Sequence, residues 1–185
     1  MEVVLVRHGE TEWSRDGRHT GSTDVPLTEQ GEEQARAVGE ALRGRAFAVV
    51  LSSPLQRALE TARLAGFSPA TREELGEWDY GEYEGRRTSE IRQQVPDWTI
   101  WRYGGPGGES PEEVGARADR VVAELRAVDG DVLVFAHGHL LRVLTARWLE
   151  LSPADGRLFA LDPGTVSTLG YEREQAVIRN WNVAV

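Results

Sequence analysis

The segment Val3-Val4-Leu5-Val6-Arg7-His8-Gly9-Glu10 joins an apolar run directly to a cation, an imidazole and a glycine. The apolar run is typical of a strand buried on both faces of a parallel sheet, and we assign the first strand to Met1–Val6. In open α/β sheets, ligands bind at the carboxyl ends of the strands. The segment therefore predicts an α/β fold in which Arg7 and His8 face an anion at one edge of the sheet.

The bulk composition is that of an ordinary globular protein. The chain has 185 residues, of which 40% are hydrophobic and 28% charged, and we expect one domain over residues 1–185. No apolar stretch approaches the ~20 residues that span a bilayer, and the amino terminus shows no secretory signal pattern. We therefore expect a cytoplasmic protein that makes no membrane contact.

Charge and cysteine content exclude several classes of function. The chain contains no cysteine, which rules out disulfides, thiol catalysis and cysteine-ligated metals. A formal net charge of -9 makes the chain a poor candidate for nucleic-acid binding, because the phosphate backbone requires a positive surface. A local group of arginines in a cleft can still bind a small anion. A homodimer is compatible with the sequence but cannot be inferred from it.

Strands and helices alternate along the chain. After the first strand we expect a helix capped by Thr28, with the apolar face Ala35, Val38, Ala41 and Leu42. A strand over Phe47–Ser52 and a helix capped by Ser53 that ends near Ala65 should follow. Further along we expect a helix capped by Ser110, a strand over Asp131–Ala136, a helix over Leu140–Leu149, and a hairpin of Val166–Tyr171 and Ala176–Trp181. This order predicts a three-layer α/β/α fold with helices on both faces of a mostly parallel sheet and an antiparallel edge. A small insertion around residues 78–109, with a short helix at Ser89–Gln94, is expected to form the substrate rim.

Two expected strands end in a histidine followed by a glycine, at His8-Gly9 and His137-Gly138. One such histidine would more often be structural, but two at the same edge of a parallel sheet favour a functional site. The glycines allow the backbone to approach a ligand, and we expect the helix after His137 to direct its positive end at the same place. Arg57 lies near the start of another helix at this edge, although its position alone fits a solvated residue equally well.

Four motifs together carry a resemblance to a known family. They are Arg7-His8-Gly9-Glu10-Thr11 with the later His137-Gly138-His139, the loop at residues 20–28, the segment at residues 52–62, and Leu75-Gly76-Glu77-Trp78-Asp79-Tyr80-Gly81 with the following Glu82-Tyr83-Glu84-Gly85. In this order they resemble the histidine phosphatase superfamily, also called phosphoglycerate mutase-like. The pattern is most similar to the small acid-phosphatase-like members and the sedoheptulose bisphosphatase branch.

The resemblance implies a role for each central residue. His8 would be the nucleophile that takes the phosphoryl group, and Glu77, four residues before Gly81, would be the general acid. Arg7, Arg57 and His137 would hold the phosphoryl oxygens. Glu82 and Glu84 are interpreted as solvated or loop-stabilising residues. The reaction would need neither a metal nor another cofactor, although His137 and His139 in isolation also fit a metal pair that lacks further ligands.

The substrate expected from the resemblance is a small phosphorylated metabolite, either a sugar phosphate or a compound like phosphoglycerate. The candidate substrate-binding residues are Ser14, Thr20, Gly21, Tyr80, Arg102, Gly138, His139 and Arg142. Ser14 stands where many family members have asparagine, so its contact with the phosphoryl group is an open question. Trp98 is interpreted as a loop anchor.

Hydrolysis through a phosphohistidine is the predicted reaction, and two alternatives stand beside it. A 2,3-bisphosphoglycerate-dependent phosphoglycerate mutase would use the same central residues, but family mutases carry a longer insertion over the site than the segment Gly85–Glu109. A non-catalytic phosphate-binding module would be expected to lack His8, Arg57, Glu77 or His137, and all four are present.

Overall fold

A computed structural model describes all residues, 1–185, and contains one six-stranded sheet. The strands are β1 (Val3–Arg7), β2 (Val49–Ser52), β3 (Ala70–Thr71), β4 (Val132–Ala136), β5 (Val166–Glu172) and β6 (Gln175–Val183), in the sheet order β3-β2-β4-β1-β5-β6. The first four strands are parallel to one another, whereas β5 and β6 are antiparallel to their neighbours. The mostly parallel sheet with an antiparallel edge is confirmed.

Helices cover both faces of this sheet. They are α1 (Glu12–Arg15), α2 (Glu29–Ala41), α3 (Gln56–Leu64), α4 (Thr88–Ile91), α5 (Ile100–Tyr103), α6 (Pro111–Arg126) and α7 (Gly138–Trp148). Together with the sheet, these helices form the three layers expected from the sequence. None of the helices combines the length and the apolar character needed to cross a membrane.

The alternation of side chains along β1 divides the core into two parts. Val4 and Val6 pack in a cluster of 8 buried residues that includes Val38 of α2 and Ala62 of α3. Val3 and Leu5, on the opposite face of β1, belong to a cluster of 26 buried residues, which includes the apolar faces of α6 and α7. Since successive residues of a strand point to opposite faces, one apolar run supports both layers.

Several local predictions are confirmed and one capping prediction is wrong. Thr28 caps α2 and Ser110 caps α6, each by accepting a backbone N–H of the first turn. Ser53, by contrast, caps no helix, because α3 begins only at Gln56 and its N-cap makes no side-chain hydrogen bond. The Ser53 hydroxyl accepts the N–H of Leu55 and contacts His137 instead.

Smaller differences concern element ends and short elements. Ala41 is exposed although the periodicity places it on the apolar face of α2. The short helix in the insertion lies at Thr88–Ile91 rather than Ser89–Gln94. The sequence patterns did not indicate β3, α5 or the 3-10 helix at Pro153–Leu158. These pieces are too short to show a period of their own.

Candidate active site

The register of β1 against β4 brings the two histidines together. Arg7 pairs with Ala136 in the parallel ladder, and the N–H of His8 donates to the Ala136 carbonyl at 3.0 Å. His8 and His137 therefore leave neighbouring strands at the same level. Their ring centroids lie 5.2 Å apart, and both side chains are buried.

The His8 ring is held with one defined nitrogen free. Its Nδ1 lies 2.8 Å from the Gly9 carbonyl oxygen, which can only accept a hydrogen bond. Nδ1 therefore carries the hydrogen, and Nε2 keeps its lone pair. Burial lowers the pKa of His8 well below its ordinary value, and the cations Arg57 and Arg7 lower it further. The ring is accordingly a neutral imidazole at physiological pH, the form that acts as a nucleophile.

Arg57 is fully buried beneath the loop at residues 20–23. Its two terminal nitrogens donate to the backbone carbonyls of Gly21 at 2.9 Å, Thr23 at 3.0 Å and Thr20 at 3.2 Å. No carboxylate pairs directly with Arg57. The third nitrogen of the guanidinium, Nε, has no hydrogen-bond partner.

His137 also has one ring N–H without a hydrogen-bond partner. Its Nε2 lies 2.7 Å from the Ser53 hydroxyl, which accepts the Leu55 N–H and has no other acceptor for its own hydrogen. The hydroxyl therefore donates to Nε2, and Nδ1 carries the ring hydrogen. Burial lowers the pKa of His137 well below its ordinary value, as does Arg57, so the ring is neutral.

Three buried side-chain atoms in the whole protein lack a hydrogen-bond partner. They are Nε of Arg7, Nε of Arg57 and Nδ1 of His137. An unsatisfied buried donor costs about 1–3 kcal/mol, so three donors on residues that contact or act electrostatically on His8 call for an acceptor. Each belongs to a residue expected to hold phosphoryl oxygens, and a tetrahedral oxyanion offers several acceptor oxygens.

Glu77 occupies the amino-terminal end of α7. Its Oε1 accepts the N–H groups of Leu140 at 2.8 Å and Trp78 at 2.9 Å, and Oε2 accepts that of His139 at 3.0 Å. This arrangement corrects one expectation, because the positive end of the helix after His137 is occupied by a carboxylate of the protein. Glu77 nevertheless lines a pocket at the carboxyl ends of the strands, which His8 and Arg7 also line.

Six of the eight candidate substrate-binding residues line this pocket. They are Ser14, Thr20, Tyr80, Gly138, His139 and Arg142. The Ser14 hydroxyl is already engaged, since it accepts the Thr11 N–H at 2.9 Å and donates to the Thr11 carbonyl at 3.0 Å.

Tyr80 and His139 form a tight pair in the wall of the pocket. The Tyr80 hydroxyl lies 2.6 Å from Nδ1 of His139. Burial raises the pKa of Tyr80 well above its ordinary value, so the phenol stays protonated and donates this bond. The ring hydrogen of His139 is then on Nε2. Trp101 packs against the His139 ring, with the two ring centroids 5.0 Å apart. The guanidinium carbon of Arg142 lies over the Trp101 ring, 4.5 Å from its centroid.

The other two candidates lie elsewhere. The Arg102 side chain is 69% exposed and pairs with Asp97 at 3.0 Å, away from the pocket. Gly21 is buried, and its N–H donates to the Glu84 carboxylate at 2.9 Å rather than facing a ligand. Both differences arise from contacts with residues that the motifs around Arg102 and Gly21 do not contain.

Four residues that line the pocket were not among the candidates, namely Gly17, Arg18, His19 and Leu161. Arg18 and His19 are adjacent basic residues in one loop, and this pair could have indicated an anion site from the sequence. Leu161 contributes its backbone carbonyl, which accepts a hydrogen bond from Arg7. A carbonyl contact has no sequence signal, because every residue carries the group. No group of three or more His, Cys, Asp or Glu side chains is placed to hold a metal ion.

The fold and the site together define a family. The family model described as the histidine phosphatase superfamily, branch 1, matches residues 3–184. The chain is 43% identical to an acid phosphatase of Mycobacterium tuberculosis, over 95% of this chain and 91% of that protein. It is 35% identical to a sedoheptulose 1,7-bisphosphatase of Saccharomyces cerevisiae, over 80% and 67% respectively. The chain belongs to the histidine phosphatase superfamily.

A solved structure has a fold similar to that of this chain. The product of an open reading frame of Mycobacterium tuberculosis superposes with a TM-score of 0.95 at 40% identity, over 99% of this chain and 97% of that one. Relatives named as phosphoglycerate mutases also match, at 38% and 32% identity. The predicted fold and family are thus confirmed.

Proposed function

We propose that the protein is a phosphomonoester hydrolase that works through a phosphohistidine on His8. One observation carries the proposal: the three unpartnered buried donors belong to His137, whose ring lies 5.2 Å from that of His8, and to Arg7 and Arg57, whose charges act on His8, while His8 is neutral and its Nε2 is free. Donors fixed in a dry site before the reaction stabilise charge on the transferring group without reorganisation. The phosphatase names of the similar proteins support the same reaction class.

The first step transfers the phosphoryl group to the protein. Nε2 of His8 forms a bond to phosphorus while the ester P–O bond breaks, and the leaving alkoxide takes a proton from Glu77. In the second step a water oxygen bonds to phosphorus, the N–P bond breaks, and the water proton returns to Glu77. Inorganic phosphate leaves, and His8 and Glu77 are restored.

The contacts of Glu77 indicate which oxygen carries that proton. Oε1 accepts two backbone N–H groups, whereas Oε2 accepts only the longer bond from His139. Protonation at Oε2 therefore costs one hydrogen bond and leaves two in place.

The lining of the pocket supports a small phosphorylated metabolite as substrate. Arg18 and Arg142 line it together with Arg7, and Glu77 is its only acidic residue. Polar groups dominate the wall, which suits a sugar phosphate or a phosphorylated hydroxy acid. Cytoplasmic location remains a prediction.

A substrate panel with phosphate release as the readout tests the proposal. We expect release from sugar phosphates and phosphoglycerates, and trapping of acid-labile, alkali-stable phosphate on His8 when turnover is quenched. A parallel reaction offers 3-phosphoglycerate with 2,3-bisphosphoglycerate. Efficient isomerisation with little phosphate release would show a mutase, and phosphate binding without any turnover would show a binding module.

A further inference from the structure

We propose that Glu84 is a positioning residue for Arg57, acting through the backbone of the loop at residues 20–23; the proposal rests on the phosphate-binding role given to Arg57 above. Glu84 accepts the N–H of Gly21 with both carboxylate oxygens at 2.9 Å and the N–H of Thr23 at 3.1 Å. Arg57 binds the carbonyls of the same loop from the other side.

One peptide group connects the two charges directly. The peptide between Thr20 and Gly21 presents its carbonyl to Arg57 at 3.2 Å and its N–H to Glu84 at 2.9 Å. A guanidinium at the oxygen and a carboxylate at the N–H polarise this peptide in the same sense, so each hydrogen bond strengthens the other. Neither Glu84 nor Arg57 has a direct ion pair, and the loop is therefore their shared partner.

The packing around Gly21 leaves no room for a side chain at this position. A Cβ on Gly21 would lie 2.6 Å from Oε2 of Glu84 and 2.8 Å from the Trp78 carbonyl oxygen. Glycine is thus required for the carboxylate to reach the loop backbone. This explains why Gly21 belongs to the motif although it does not bind substrate through its N–H.

Catalysis depends on where the loop holds Arg57. Three carbonyl contacts fix the terminal nitrogens, and the remaining nitrogen, Nε, is the donor left for a phosphoryl oxygen. If the loop loses its anchor at Glu84, the carbonyls move and Nε moves with them. Glu84 therefore acts on phosphate affinity without touching the phosphate.

Inorganic phosphate provides a probe that needs no turnover. We expect Glu84→Gln, which keeps the side-chain length but removes the charge, to weaken phosphate binding roughly 5- to 10-fold, because a charge-assisted hydrogen bond becomes a neutral one. Glu82→Gln is the matched control, since Glu82 is exposed and its side chain makes no hydrogen bond. Isothermal titration calorimetry at 25 °C gives the Kd of each variant, and circular dichroism establishes that each variant is folded.

Each outcome decides a separate question. A lower Tm for Glu84→Gln with an unchanged phosphate Kd shows a merely structural role and overturns the proposal. Phosphate binding by the wild type without phosphatase activity overturns the proposed function alone, and no phosphate binding overturns both. If Glu84→Gln does not fold, Glu84→Asp replaces it: a shortened carboxylate is expected to weaken binding to a smaller extent, and a wild-type Kd for that variant contradicts the proposal.

Discussion

The strand-end part of the site and the insertion around residues 78–109 differ in what fixes their side chains. At the strand ends, His8 and His137 follow directly from paired strands, so the sheet register sets their separation. In the insertion, Trp98 packs in the main core and donates to the Gly104 carbonyl, while Arg102 turns outward. Most of the proposed reactive residues directly follow strands of the sheet, whereas the residues of the insertion mostly support them.

The two regions also contribute unequally to the wall of the pocket. Of the insertion, only Tyr80 lines the pocket with the reactive residues. The outer wall comes instead from the loop carrying Ser14, Arg18 and His19, and from Arg142 on α7. Substrate choice is therefore expected to depend more on the segment 14–20 than on the segment 85–109.

The largest effect is expected from removing the proposed nucleophile. His8→Ala should lower kcat/KM by about 10⁴-fold or more, because the phosphoryl acceptor is lost while binding groups remain. His19→Ala changes a histidine at the pocket mouth and should cost far less. Phosphate release measures both, with circular dichroism to establish folding. Turnover by His8→Ala near the wild-type rate would exclude a phosphohistidine at this residue.

Trp98 tests the supporting role of the insertion. Trp98→Ala should destabilise the protein by about 3–5 kcal/mol, as expected for a fully buried tryptophan. Tyr103→Ala removes an exposed aromatic residue of the same segment and serves as the control. Urea unfolding gives both free energies. A Trp98 variant of normal stability that loses substrate affinity would make this residue part of the substrate wall.

Sequence reasoning located the strand-end residues because their signals are local. An apolar run followed by a polar triplet marks Arg7, His8 and His137 without knowledge of the register. The role of Glu77 came from the family resemblance alone. The contacts of Ser53 with His137 and of Glu84 with Gly21 join segments 84 and 63 positions apart, and no pattern in either segment indicates the partner.

A substitution in α3 compares a buried and an exposed arginine. Arg57→Lys should lower kcat/KM by about 10²-fold, because an ammonium can satisfy neither the three loop carbonyls nor a phosphoryl oxygen with the geometry of a guanidinium. Arg63→Lys makes the same change on the exposed side of α3, where Arg63 contacts only Glu60. Equal kinetics for the two variants would remove Arg57 from the site.

The buried histidines predict a loss of stability in acid. Folding lowers the pKa of His8 and His137 well below 6.5, and that of His19 to about 4. As the pH falls below 6.5, the histidines of the unfolded chain become protonated while those of the folded protein stay neutral. The free energy of unfolding, which is at its full value above pH 6.5, therefore decreases with a slope that approaches ~1.4 kcal/mol per pH unit for each histidine.

Urea unfolding at several values between pH 7 and pH 5 measures this slope. His19→Gln removes one titrating group from the pocket mouth, and His8→Gln removes one from the strand ends. Each substitution should lower the slope of the unfolding free energy against pH by the contribution of one histidine. For His19 this applies over the whole range, because the folded protein protonates this ring only near pH 4. A slope that neither substitution changes would mean that these rings are already protonated in the folded protein.

The smallest effect is expected at Arg102, which the sequence placed among the substrate-binding residues. Its guanidinium pairs with Asp97 in solvent, where such a pair contributes about 0–1 kcal/mol. Arg102→Ala should therefore leave KM within about twofold and stability within about 0.5 kcal/mol of the wild type. Arg142→Ala, which changes an arginine that does line the pocket, should raise KM for phosphorylated metabolites. A larger KM increase for Arg102→Ala than for Arg142→Ala would show that the insertion closes over the bound substrate and would return Arg102 to the site.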